Sequence, residues 1–135
     1  MLVTPGNVTT MTLDWGSIKW FVTPLAIQDA SSSLGEVIVN PGKGHARHNH
    51  PDADEVIYVI SGAADQMVDD GEPFPIKEGD AVYIPKGVWH STLNTTWRPL
   101  RLIVTYTPGG EEKALEGAPD FRLHEPGFVP EWHRA

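Results

Sequence analysis

A chain of 135 residues, 40% of them hydrophobic, is long enough for one domain with its own core, and its apolar runs are too short to cross a membrane. Eighteen acidic and ten basic residues give a formal net charge of −8, which argues against nucleic acids and anionic membranes as partners. Cysteine is absent, which excludes disulfides and thiolate chemistry. No N-terminal signal pattern is visible, so we expect a soluble, cytoplasmic protein.

Thirteen glycines and twelve prolines interrupt the chain, and the segments between them are rich in valine, isoleucine, threonine and aromatic residues. This pattern is typical of an all-β fold, and no long stretch has the 3.6-residue period of a helix. In chain order, the predicted strands span residues 35–40, 46–50, 55–61, 64–68, 81–85, 90–94 and 100–107. In the last strand, Leu102, Val104 and Tyr106 alternate with Arg101, Ile103 and Thr105. Because Arg101 prefers water, the face with Leu102, Val104 and Tyr106 is expected to point toward the core.

The two ends of the chain flank a predicted core barrel at about residues 33–108. An additional N-terminal strand is expected, and the aromatic segment from Trp15 to Phe21 is predicted to contribute to a homodimer contact. From residue 109 onward the composition changes to glycine, glutamate, proline and isolated aromatic residues. We expect residues 109–135 to be an arm that wraps the barrel or a neighbouring subunit, so that residues 1–135 make one domain.

A histidine pair followed by a glutamate is the most informative pattern in the chain. His48 and His50 are one residue apart and would leave the same face of a β-strand. Glu55 opens the next predicted strand, where an antiparallel return would bring its carboxylate across from the pair. His90 follows a proline-glycine turn and supplies a third imidazole from a more distant strand. Three imidazoles and one carboxylate suit iron, manganese, cobalt, nickel, copper or zinc, and do not suit calcium.

Turn residues extend this pattern into two motifs. Residues 42–62 have the spacing G-x5-H-x-H-x4-E-x6-G, and residues 79–94 have the spacing G-x5-P-x-G-x2-H-x3-N. With sixteen residues between them, the motifs resemble those of small single-domain members of the cupin superfamily. This resemblance implies a double-stranded β-helix, or jelly-roll barrel, that holds one divalent transition metal ion. The implied metal ligands are His48, His50, Glu55 and His90.

The other motif residues have structural roles in this interpretation. The glycines fall where the chain must reverse between strands, and glycine tolerates a positive φ there. These turn residues are Gly42, Gly62, Gly79 and Gly87. Asn94 matches a position that is usually structural. The remaining histidines are predicted to be ordinary surface or core residues, and they are His45, His124 and His133.

Substrate contacts are expected from side chains that face the same cavity as the metal. Four protein ligands leave one or two coordination positions for substrate or water. Because residues two apart on a strand share a face, Thr92 is predicted to point inward like His90. The same alternation counted from Gly62 predicts that Gln66 hydrogen-bonds to a ligand in the cavity. Tyr106 is predicted to line the same cavity.

Three functions remain open. The first is an enzyme that acts on a small oxygen-rich substrate, such as a sugar derivative, a keto acid or a polyketide-like enol, by metal-stabilised enolate chemistry. Isomerisation, cyclisation or elimination would follow, with Glu55 as the catalytic base. The second function is a metal-dependent dioxygenase, and the third is a non-catalytic small-molecule binding protein. The resemblance favours the three in this order.

Overall fold

The computed structural model describes residues 1–130, which form strands and two short 3₁₀ helices. The strands are β1 (Thr10–Leu13), β2 (Gly16–Val22), β3 (Ser33–Val39), β4 (Gly44–His48), β5 (Asp54–Ser61), β6 (Ala63–Val68), β7 (Phe74–Lys77), β8 (Ala81–Ile84), β9 (His90–Leu93), β10 (Leu100–Thr107) and β11 (Arg122–His124). The helices are Pro5–Asn7 and Glu111–Gly117. Neither helix, nor any other in this part of the chain, is long and apolar enough to span a bilayer.

The strands form two antiparallel sheets. The larger sheet has seven strands in the order β11-β1-β2-β3-β10-β5-β8, and the smaller has four in the order β4-β9-β6-β7. The sequence-adjacent strands β4 and β5 lie in different sheets, and so do β5 and β6, so the chain crosses repeatedly between the two layers. The all-β prediction is confirmed, and each of the seven predicted strands overlaps a strand of the structure.

The hydrophobic core lies between the sheets. On β10, Leu102, Val104 and Tyr106 are buried and confirm the predicted alternation. Trp20 on β2 packs against Tyr106 with ring centroids 5.2 Å apart and covers Gly35, where a Cβ atom would approach its ring to 2.6 Å. Burial of each large side chain contributes about 1.5–3 kcal/mol. Trp20 is therefore buried within its own chain, and it does not contribute to the subunit contact predicted for the aromatic segment 15–21.

The four motif glycines all adopt positive φ, as the turn interpretation requires. Their φ values are 73° at Gly42, 91° at Gly62, 90° at Gly79 and 79° at Gly87. At Gly62 there is also little space, because a Cβ atom would lie 2.8 Å from the carbonyl oxygen of Pro99. Glycine is required there both for the backbone conformation and for the close approach of the chain at the start of β10.

Asn94 has the structural role that the motif implies. Its side chain is fully buried, and its Nδ2 donates to the carbonyls of Val39 (3.1 Å) and Arg98 (2.7 Å). Its Oδ1 accepts from the backbone N–H of Thr96 at 2.9 Å. The amide therefore joins the end of β3 to the loop that precedes β10.

Replacing Asn94 by alanine is expected to lower the free energy of unfolding by about 2–3 kcal/mol, because buried carbonyls lose their donor. Urea denaturation followed by tryptophan fluorescence measures this loss. The exposed neighbour Thr95 offers a matched control, and Thr95→Ala is expected to change stability by less than about 0.5 kcal/mol. Equal effects of the two substitutions would contradict the structural role of Asn94.

Residues on both sides of the predicted core barrel continue the larger sheet. β1 and β2 extend it before residue 33, and β11 pairs with β1 so that Thr10 lies opposite His124. In the predicted arm, Leu115 is buried in the hydrophobic core. The arm thus packs on its own chain as far as residue 130. Trp132 and His133 of the same arm lie outside the described residues.

Candidate metal centre

His48 and His90 face each other across two neighbouring strands of the smaller sheet. They are direct partners in the pairing of β4 with β9, and their ring centroids lie 4.2 Å apart. Side chains at directly opposite positions leave the same face of a sheet. Two of the four predicted ligands are therefore brought together by strand pairing alone.

His50 does not share a strand with His48, which corrects the prediction of a strand over residues 46–50. β4 ends at His48, and His50 lies in the loop that follows. This loop is tied to the turn before β9, since the backbone N–H of Gly87 donates to the His50 carbonyl at 2.9 Å. The buried His50 ring still reaches the site, with its centroid 5.0 Å from that of His48 and 5.3 Å from that of His90.

Glu55 reaches the histidines from the opposite sheet. We expected an antiparallel return beside the histidine pair, and this expectation was wrong because β5 pairs with β10 and β8 in the larger sheet. The Glu55 Oε2 atom lies 2.7 Å from His90 Nε2 and 3.8 Å from His50 Nε2. One donor atom from each of the four predicted ligands lies within 4.8 Å of all the others.

The hydrogen bonds of His48 and His90 leave the Nε2 atom of each ring available to bind a cation. His48 Nδ1 lies 2.7 Å from the carbonyl of Ala46, and His90 Nδ1 lies 3.0 Å from the carbonyl of Val88. Because a carbonyl only accepts, each Nδ1 must carry the proton, which leaves a lone pair on each Nε2 in the neutral ring. Hydrogen bonds of this kind orient the ring of a metal-ligating histidine.

The buried donor atoms are left without hydrogen bonds. His50 Nε2, His90 Nε2 and Glu55 Oε2 are all buried, and none has a hydrogen-bond partner within residues 1–130. The 2.7 Å approach of His90 Nε2 to Glu55 Oε2 brings two lone pairs together unless a positive charge lies there. Orphaned buried acceptors are costly, and a shared cation satisfies all of them at once. The donor set therefore fits a divalent transition metal.

Burial keeps most of these imidazoles neutral. Burial, reinforced by His45 and His90, lowers the pKa of His48 to about 3. Burial is also the main reason that the pKa of His50 is lowered. It opposes protonation of His90 as well, but the adjacent Glu55 carboxylate outweighs it and the pKa of His90 is raised. Neutral imidazoles are the form that binds metal.

Two of the three predicted pocket residues line the cavity beside this cluster. Thr92 and Tyr106 form part of its wall, together with apolar residues of the larger sheet. Gln66 is fully buried behind Thr92, from which its Oε1 accepts a hydrogen bond of 2.5 Å, and its Nε2 donates to the Met67 carbonyl. The structure therefore does not bring Gln66 to the cavity wall. Burial raises the pKa of Tyr106, so its hydroxyl stays protonated.

His45 also faces the site, although we predicted an ordinary surface or core residue. The β4–β9 register shifts between His45 and His48, and Ala46 and Arg47 are both exposed. This bulge turns residues three apart to the same side, with the His45 and His48 ring centroids 3.9 Å apart. Burial is the largest cause that lowers the pKa of His45 to about 4. In a regular strand, His45 and His48 would lie on opposite faces because they are three residues apart. The sequence therefore did not indicate that His45 faces the site.

The predicted arm supplies a further residue. Glu111 begins the second 3₁₀ helix, and its Oε2 lies 3.6 Å from His50 Nδ1. An outer opening of about 390 Å³ leads to the histidines, and this helix forms one side of it. The arm therefore borders the cluster, which composition alone did not indicate.

Comparisons with known proteins agree with the fold and the motifs. Residues 35–106 match the family model of the cupin domain. Protein SchB from Streptomyces halstedii is 33% identical over 93 residues, which cover 69% of this chain and 67% of SchB. Polyketide synthase CurC from Streptomyces cyaneus is 30% identical over 100 residues, covering 74% of this chain but only 64% of CurC.

A solved structure supports the same fold. It is an uncharacterized conserved protein with a double-stranded β-helix domain from Klebsiella pneumoniae, with a TM-score of 0.64 and 22% identity over 84% of this chain and 88% of that one. The jelly-roll architecture implied by the motifs is thus confirmed. The chain belongs to the cupin family.

Proposed function

We propose that this protein is a metal-dependent enzyme that acts on a small oxygen-rich substrate through an enolate. The observation that carries the proposal is the cluster of three imidazoles and one carboxylate, whose buried donor atoms lack hydrogen bonds and lie within 4.8 Å of one another. Perturbed, converging polar groups beside a cavity are a common feature of active sites. Isomerisation, cyclisation and elimination are the reactions that this chemistry serves.

The proposed roles of the site residues are metal binding, proton transfer and substrate contact. The metal would be held by His48, His50, Glu55 and His90. When bound, it supplies Lewis-acid stabilisation of the negative charge that develops on the substrate oxygen. Glu55 accepts the proton that leaves the substrate carbon. Thr92 and Tyr106 contact the substrate, and Gln66 orients the Thr92 hydroxyl through their hydrogen bond.

The shape of the site supports a small substrate. The outer opening of about 390 Å³ is within the range of small-molecule pockets, and it is bordered by His45, His48 and His50. An adjoining cavity of about 50 Å³, which Thr92 and Tyr106 line, is walled mainly by apolar side chains. The relative named polyketide synthase CurC favours a polyketide-like enol over a sugar derivative or a keto acid.

Turnover with defined metals tests the proposal. Metal-free protein would be loaded separately with Fe²⁺, Mn²⁺, Co²⁺, Ni²⁺, Cu²⁺ or Zn²⁺ and offered polyketide-like enols, keto acids and sugar acids. We expect metal-dependent turnover that is equal under argon and in air. Turnover only in air would replace the proposal with a dioxygenase. Ligand binding without turnover would replace it with a binding protein.

Glu55→Gln separates the two roles of Glu55. Because glutamine keeps a carbonyl oxygen but cannot accept the proton, we expect turnover to fall at least about 100-fold, with a smaller loss of metal affinity. Turnover measured at saturating metal and isothermal titration with the same metal give the two values. Equal losses would reduce Glu55 to a metal ligand.

The proposal extends to a cytoplasmic homodimer. Val56, Tyr58 and Tyr83 form an exposed apolar strip on paired strands β5 and β8, and within residues 1–130 β8 is the last strand at this side of the sheet. A second copy of the chain would cover this strip. Sedimentation at micromolar concentration measures the assembly, and a monomeric mass would contradict this part of the proposal.

A further inference from the structure

The three histidines of the site differ in how their rings are held. In His48 and His90, Nδ1 hydrogen-bonds to a backbone carbonyl two residues earlier in the chain. His50 has no such bond, and its Nδ1 is buried without a hydrogen-bond partner in the part of the chain that the structure describes. The acceptor that faces it is the carboxylate of Glu111, with Oε2 3.6 Å away.

We propose that Glu111 is a positioning residue that accepts a hydrogen bond from His50 Nδ1 and thereby aims His50 Nε2 at the metal. The inference rests on the proposed metal centre. A separation of 3.6 Å is an ion-pair distance, about 0.7 Å longer than a typical N–H···O bond, so a small side-chain rotation closes it. Carboxylate–histidine–metal arrangements fix the ring orientation and increase the basicity of the ligating nitrogen.

The fold holds Glu111 at this position from several sides. Leu115, four residues further along the same 3₁₀ helix, is buried in the core. The neighbouring Glu112 is buried and accepts a hydrogen bond from Ser33 Oγ, which itself accepts from the backbone N–H of Gly110 at 3.1 Å. The start of the helix is therefore attached to β3. Glu111 is the residue between these attachments whose side chain faces His50.

This arrangement gives the arm a role in the site. His50 lies in a loop and not on a strand, so strand pairing does not orient its ring as it does for His48 and His90. The missing constraint is supplied by a residue about sixty positions later in the chain. His50 and Glu111 are both largely buried, with side-chain exposures of 7% and 20%, so their interaction is screened less than a surface pair.

Metal affinity of Glu111 variants tests the inference. We expect Glu111→Ala to weaken Zn²⁺ binding about 10- to 100-fold, as loss of an outer carboxylate typically does. Glu111→Gln keeps an acceptor oxygen and should recover most of that loss. The exposed Glu116 belongs to the same helix and provides the control, and Glu116→Gln should bind Zn²⁺ like the unmodified protein. Competition with a chromophoric chelator measures all four affinities.

A second measurement has its main readout in the unmodified protein, so it does not rely on every variant folding. In Zn²⁺-loaded protein with ¹⁵N-labelled histidine, the His50 Nδ1 proton should appear as a slowly exchanging, hydrogen-bonded signal, which Glu111→Gln shifts. Absence of this proton signal, or equal Zn²⁺ affinity of Glu111→Ala and the unmodified protein, would overturn the role of Glu111. Failure of the unmodified protein to bind any of the six metals would instead overturn the proposed metal centre.

Discussion

Replacing His90 by alanine is expected to abolish stoichiometric metal binding, with a loss of affinity greater than about 100-fold. Outer-sphere partners of metal ligands are typically worth 10- to 100-fold, and a direct ligand contributes more. His90 is also the ring closest to Glu55, at 2.7 Å, and its removal leaves the carboxylate without its nearest neighbour. Metal content after gel filtration and titration calorimetry measure the loss.

The control for this change is a histidine of the larger sheet. His124 lies on β11, hydrogen-bonds to Thr12 Oγ1 and stacks on Phe128, away from the cluster. His124→Ala should therefore retain one bound metal per chain. If His90→Ala retained full metal occupancy, or if both variants lost it equally, the four-residue centre would be wrong.

Removing the metal is expected to destabilise the protein strongly. A ligand that binds only the folded state at 1,000 times its dissociation constant adds about 4 kcal/mol to the free energy of unfolding. In a domain of this size, that corresponds to roughly 10–20 °C in the unfolding midpoint. The effect should be large here because the folded protein without metal holds orphaned buried acceptors. Differential scanning calorimetry with and without a chelator measures the shift.

The same experiment on a ligand variant distinguishes site binding from nonspecific effects. In His90→Ala, adding metal should leave the midpoint nearly unchanged, because the differential affinity for the folded state is lost. An equal midpoint shift in His90→Ala and the unmodified protein would mean that the metal stabilises some other part of the chain.

The sequence correctly predicted those structural features that depend only on a residue and its near neighbours in the chain. Glycine was required at four turns because only it adopts positive φ at little cost, and all four have it. The alternation around Leu102, Val104 and Tyr106 identified the buried face of β10, since side chains of a regular strand alternate between two faces. Asn94 was identified from its motif, and its hydrogen bonds explain why an amide is needed there.

The arrangement of the site depended on long-range pairing that local patterns do not contain. The motif spacing correctly predicted that His48 and Glu55 lie close together. It did not indicate that their strands belong to different sheets. A bulge reversed the parity that excluded His45, and such irregularities leave no residue signature in this strand. Glu111 lies in a segment with several similar carboxylates, and only the tertiary fold distinguishes it from them.

The division of the ligands between the two layers has a mechanical consequence. His48 and His90 lie on strands of the four-stranded sheet, His50 lies in the loop after β4, and Glu55 lies on β5 of the seven-stranded sheet. A cation held by His48, His90 and Glu55 would therefore cross-link the two sheets inside the barrel, and its binding would restrict how far the sheets can separate.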